Sequence, residues 1–126
     1  MTDFSTLQGL TLIAIDNAKE GSSQITFETD TGRIFRQYHY QDCCENVEVD
    51  EIHGDIADLI GTPILLAEEA TFDNEPSPDG AIPEFPDSYT WTFYKLATAK
   101  GHVTIKWLGE SNGYYSEAVY FKELDA

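Results

Sequence analysis

Positive charge is what this chain has least of. Its seven basic residues are Lys19, Arg33, Arg36, Lys95, Lys100, Lys106 and Lys122, and none falls between Gln37 and Tyr94. A surface evolved to hold nucleic acid has the opposite pattern, so direct binding of DNA or RNA is not expected, nor is attraction to an anionic membrane. Long apolar runs are missing too. No stretch approaches the roughly 20 apolar residues that span a bilayer, and Met1-Thr-Asp-Phe-Ser lacks the basic and apolar regions of a secretory leader. The only cysteines, Cys43 and Cys44, are adjacent. Neighbours cannot staple distant segments, so a disulfide scaffold is excluded and a cytoplasmic setting is expected. The phosphate-binding, dinucleotide, zinc-protease and nucleophile-elbow signatures are all absent.

Acid is abundant. Twenty-three Asp and Glu give a formal net charge of −16, and fourteen of them lie in the base-free stretch from Gln37 to Tyr94. Such a field keeps a protein soluble at some expense of stability, and it suits a basic partner surface. The expected partner-binding residues are Glu45, Glu48, Asp50, Glu51, Asp55 and Asp58. A hydrophobic content of 41% with 13% aromatics is too apolar for a disordered chain. The 126 residues fit a single domain.

Period-two alternation dominates, which predicts an α+β fold that is mainly antiparallel β. Leu10–Ile15, Gln24–Glu28 and Arg33–Tyr40 read as an N-terminal meander, with Asp30-Thr-Gly32 as a turn. Asn46–Asp50 alternates. Ile52, Ile56, Leu59 and Ile60 then fall at helical spacing, predicting one short helix near residues 51–61, stopped by Gly61 and Pro63. Ile64–Ala67 reads as a strand. Residues 73–88 hold four of the five prolines and read as a long loop. Ser88–Thr98 and Val103–Trp107 are strands about an Ala99-Lys-Gly101 turn. Asn112-Gly113 signals a hairpin that returns through Tyr115–Phe121, completing a second meander.

Two polar clusters stand out. His39-Tyr-Gln-Asp-Cys-Cys-Glu45 has metal-ligating residue types, but adjacent cysteines reach one zinc ion poorly and no second pair exists, so no metal or cofactor is expected. Asp42 and Glu45 flank the thiols and disfavour thiolate, so nucleophilic chemistry is not expected either; one cysteine is expected in the core. Ser111-Asn-Gly-Tyr-Tyr-Ser-Glu117 offers hydroxyls and an amide. Set beside aromatic walls, the two clusters suggest a small-molecule site formed by His39, Gln41, Asp42, Trp91, Trp107, Asn112 and Tyr115.

Asp42-Cys-Cys-Glu45, Gly54-Asp-Ile56 through Gly61, Trp91-Thr-Phe-Tyr94 and Ser111–Glu117 together resemble a family of small, uncharacterised proteins found largely in phages and prophages. The resemblance runs from about Gly9 to Phe121. It implies a phage-type accessory protein acting in the bacterial host cytoplasm and carries over no catalytic residue. The expected function is a non-enzymatic binding protein whose acidic surface inhibits or redirects a host or defence protein. One alternative is a protein that binds or sequesters a small ligand such as a nucleotide; a metal-dependent hydrolase is another. A homo-oligomer joined through sheet edges is a further option.

Overall fold

The computed structural model describes residues 2–80, 82–83 and 87–124. Eight strands follow one another: β1 (Leu12–Asp16), β2 (Gln24–Thr29), β3 (Ile34–Tyr38), β4 (Asn46–His53), β5 (Leu66–Asp73), β6 (Ser88–Thr98), β7 (Gly101–Ser111) and β8 (Tyr120–Leu124). They form two four-stranded antiparallel sheets, ordered β1-β2-β3-β8 and β4-β7-β6-β5. The fold is thus mainly antiparallel β, and the N-terminal meander lies where alternation put it.

One apolar cluster lies between the sheets. Ile25, Phe27 and Phe35 enter from the first sheet, and Val49, Tyr94, Ile105 and Trp107 from the second. Two contacts tie the layers together. The 3-10 turn Phe4–Leu7 drives Phe4 between Tyr94 and Phe121, with ring centroids 4.6 and 5.1 Å away. Trp107 Nε1 donates to Gln37 Oε1 at 3.0 Å across the buried gap, giving two buried polar groups partners.

Three expectations need correction. The helix near residues 51–61 is not formed: β4 continues to His53, with Ile52 opposite Ile105, and only a 3-10 turn, Ile56–Leu59, follows. Gly54, at φ +101°, ends the strand with its backbone against His102 O. The six residues from Asp55 to Ile60 leave no room for a stable α-helix before Gly61 and Pro63. The Asn112-Gly113 turn does not return the chain to β7. Instead residues 112–119 cross to the other layer, and β8 pairs with β3. The second sheet is completed by β4, which lies beside β7. The strand expected at Ile64–Ala67 begins later, at Leu66.

Within the proline-rich loop, residues 81 and 84–86, including Phe85 and Pro86, lie outside the described residues. The base of the loop is fixed. Asn74 N donates to Tyr89 O at 2.7 Å, and Tyr89 N donates to Asn74 Oδ1 at 2.9 Å. No helix among the described residues is long and apolar enough to cross a membrane.

Candidate functional site

The two polar clusters of the sequence meet in space. His39, just beyond β3, has a side chain only 2% exposed. Its Nδ1 lies 2.7 Å from Ala118 O on the crossing segment, and its Nε2 lies 2.7 Å from Glu45 Oε2. A carbonyl and a carboxylate, one on each ring nitrogen, thus fix the ring between the end of β3 and the crossing segment. Glu45 itself is 5% exposed. It also accepts from Asp42 N and Cys43 N, each at 2.9 Å, and from Gln41 Nε2 at 3.1 Å. Burial raises the Glu45 carboxyl, but the hydrogen bonds from His39, Cys43 and Asp42 outweigh it and hold it at about 2. Expected as a partner-binding residue, Glu45 is instead the internal post around which residues 41–45 are wound. Cys43 and Cys44 are joined to each other and both exposed, so neither is the core residue expected of one of them.

This post backs a groove of about 430 Å³ on the outer face of the first sheet, lined by Tyr38, Tyr40, Asp42, Ser116 and Tyr120. Tyr38 and Tyr120 are register partners with ring centroids 5.8 Å apart. Tyr120 stacks on His39 at 6.4 Å, and its hydroxyl lies 3.4 Å from Ser116 Oγ. Tyr120, between the buried His39 ring and Tyr38, is the fixed wall of the groove, and Tyr40, Asp42 and Ser116 are its exposed rim.

A second cleft, of about 450 Å³, opens on the other side of the crossing segment. Glu69, Asp73 and Glu117 line it beside Thr71, Thr90 and Thr92. Glu117 is 9% exposed; it accepts from Thr90 Oγ1 at 2.7 Å and from Ser111 Oγ. Burial, then the charge of Glu69, pushes the neighbouring Tyr94 phenol up.

The third feature is the outer face of the second sheet. Lys106 is 1% exposed there, 4.4 Å above the Trp91 ring and 3.1 Å from Asp79 Oδ2. Asp50 and Glu51 lie 3.9 and 4.0 Å away. On the same face of β4 and β7, Glu48 and Glu110 crowd each other. Burial, then Glu48, Asp50 and Glu117, raises the Glu110 carboxyl.

The expected acidic set thus divides. Glu48, Asp50 and Glu51 share one face. Asp55 caps the 3-10 turn through Ala57 N at 3.0 Å. Asp58 sits against Gly101 at the β6–β7 turn. The expected ligand set divides as well. Gln41 is spent on Glu45, and Asp42 stands in the tyrosine groove. Trp107 is in the core, while Trp91 lies under Lys106 on the opposite face of the sheet. Asn112 accepts from Tyr114 N within its own turn, and Tyr115 lines the second cleft. Sequence reasoning missed Tyr38, Tyr40, Tyr120 and Ser116. Alternation does put Tyr38 and Tyr40 on one face, but their partner Tyr120 arrives from the far end of the chain. Among the described residues no three His, Cys, Asp or Glu side chains are grouped to hold a metal ion.

No curated protein and no solved structure matches the chain. A family model described as a domain of unknown function, DUF7448, matches residues 6–121, so the chain belongs to the DUF7448 family.

Proposed function

We propose that this is a non-enzymatic binding protein that captures a basic protein surface on the outer face of its second sheet. The observation that carries the reading is the crowding of Glu48, Asp50, Glu51 and Glu110 on β4 and β7, where the neighbouring cation, Lys106, is already buried and paired, while Lys95 stands apart on β6 beside Phe93. Burial first, and then the charges of Glu48, Asp50 and Glu117, raise the Glu110 carboxyl, and an incoming Lys or Arg would offset the second of these causes. Opposite charge chiefly accelerates encounter and selects partners. The resemblance to small phage and prophage proteins supports a bacterial host or defence protein as the target, inhibited or redirected in the cytoplasm.

The test is capture from bacterial lysate at low and high salt. The bait is the wild-type protein, a Glu48→Gln/Asp50→Asn/Glu51→Gln variant, or a control neutralised at Asp16 and Glu28 on the other sheet. A basic protein should be held by wild type and control, released by salt, and lost from the triple variant. Equal capture by all three baits refutes the assignment of this face.

A further inference from the structure

The tyrosine groove stands beside an arrangement of charge found on no other face described above. On the outer side of the first sheet the register pairs run Tyr38↔Tyr120, then two residues along Arg36↔Lys122. Two cations thus face each other directly across neighbouring strands. Like charges so placed destabilise a sheet, and the contact that offsets them at close range is the Tyr38 ring under Lys122. Neither Arg36 nor Lys122 has a carboxylate within ion-pairing distance among the described residues. Arg36 Nε is buried without a hydrogen-bond partner. Lys122 Nζ lies 5.1 Å above the Tyr38 ring, which brings it to the mouth of the groove. In a chain with a net charge of −16, two facing cations without an ion pair among the described residues are a departure from the prevailing sign.

The groove itself is aromatic and open. Tyr40 is 75% exposed, so its ring is free to stack on an incoming one. Its volume of about 430 Å³ falls within the roughly 300–1,000 Å³ of small-molecule sites. Asp42, which follows Tyr38 and Tyr40 along the chain leading away from Arg36, also lines the groove, and its carboxylate is an acceptor for N–H donors. A fitting occupant has a flat ring to stack on tyrosine, N–H groups on one edge for Asp42, and an anion for Arg36 and Lys122 at the other end. Tyr120 is held against His39, and the Asp42 backbone is held by Glu45, so these two need little ordering on binding, whereas Tyr40 is ordered by the ligand.

We propose that the outer face of β3 and β8 holds a binding site for a purine nucleoside monophosphate, its base among Tyr38, Tyr40 and Tyr120 and its phosphate on Arg36 and Lys122. Guanine suits Asp42 best, because its N1–H and N2–H groups lie side by side and meet both oxygens of one carboxylate. A long single strand is disfavoured. Asp16 and Glu28 share this face, and a polyanion extending beyond the cation pair would meet them.

The site can be tested with guanosine 5′-monophosphate as the probe, titrated at low salt and followed by tyrosine fluorescence. Guanosine, inorganic phosphate and a ten-residue oligothymidylate serve as comparison ligands. Saturable binding of the monophosphate is expected, with guanosine and phosphate each weaker. Lys122→Gln changes an exposed side chain and should weaken the monophosphate roughly threefold to tenfold while leaving guanosine unchanged. Tyr40→Ala should weaken both by roughly fivefold or more, through lost stacking. Lys95→Gln, on the other sheet, should change neither. Absence of saturable monophosphate binding at millimolar concentration overturns the proposal. So does equal weakening by Lys95→Gln and Lys122→Gln, or tighter binding of the oligothymidylate than of the monophosphate.

Discussion

In the linear chain Glu45 is one acid among many; in the fold His39, Gln41 and the N–H groups of Asp42 and Cys43 converge on it. Its carboxyl is held at about 2, against 4.5 in an unstructured chain. A carboxyl lowered by folding stabilises the native state wherever it is ionised in both states. That contribution is whole above about pH 4.5 and drains away as pH falls toward 2. Glu45→Gln abolishes it. The gap in urea midpoint between wild type and Glu45→Gln is therefore expected to be widest at pH 6 and to narrow steadily between pH 4.5 and pH 2.5. A constant gap would mean that the carboxylate is not held as described. Glu45 closes the polar cluster that begins at His39, as Glu48 does not, but the cluster does not disclose that the carboxylate is buried. Ala118, far along the chain, holds the other ring nitrogen of His39, and that contact has no local signature.

Strands were legible wherever one face is buried, since alternation is then forced: Ile25 and Phe27, or Val103, Ile105 and Trp107, fall on inner faces. Partners at long range were not. Ile52 to Ile60 has helical spacing, yet Ile52 is taken into β4 by pairing with Ile105, and that tertiary ladder outweighs a weak local preference. The Asn112-Gly113 turn was read correctly as a turn but not as the start of a crossing between layers. What lets the chain cross is Gly109. A Cβ there would lie 2.5 Å from Glu117 O and 2.7 Å from Glu117 Cβ, so the crossing segment runs against bare backbone. Gly109→Ala should cost roughly 1–3 kcal/mol, the usual penalty of overpacking, seen as a lower urea midpoint with an unchanged slope. An unaffected midpoint would show that the crossing does not press on β7. The same crossing brings Ser116 and Tyr120 to Tyr38, so the groove was as illegible as the β3–β8 pairing that builds it.

Across the strands of the whole molecule, charge is sorted by layer. The strands of the second sheet carry Glu48, Asp50, Glu51, Glu68, Glu69, Asp73 and Glu110 against Lys95 and Lys106. Those of the first carry Asp16, Glu28 and Glu123 against Arg36 and Lys122. Self-repulsion at a net charge of −16 weakens the compact state, and salt screens it. Raising the ionic strength from about 0.01 to 0.15 M shortens the screening length from about 30 to 8 Å. Tm at neutral pH is expected to rise by several degrees over that range, on the order of 1 kcal/mol; a fall would mean that attractive pairs outweigh the repulsion. Among the strand residues the imbalance lies from one layer to the other, so the sheets contribute to the molecule's electric dipole a component directed through its thickness. Near a charged boundary that component adds a torque to the force, favouring the approach of one broad side.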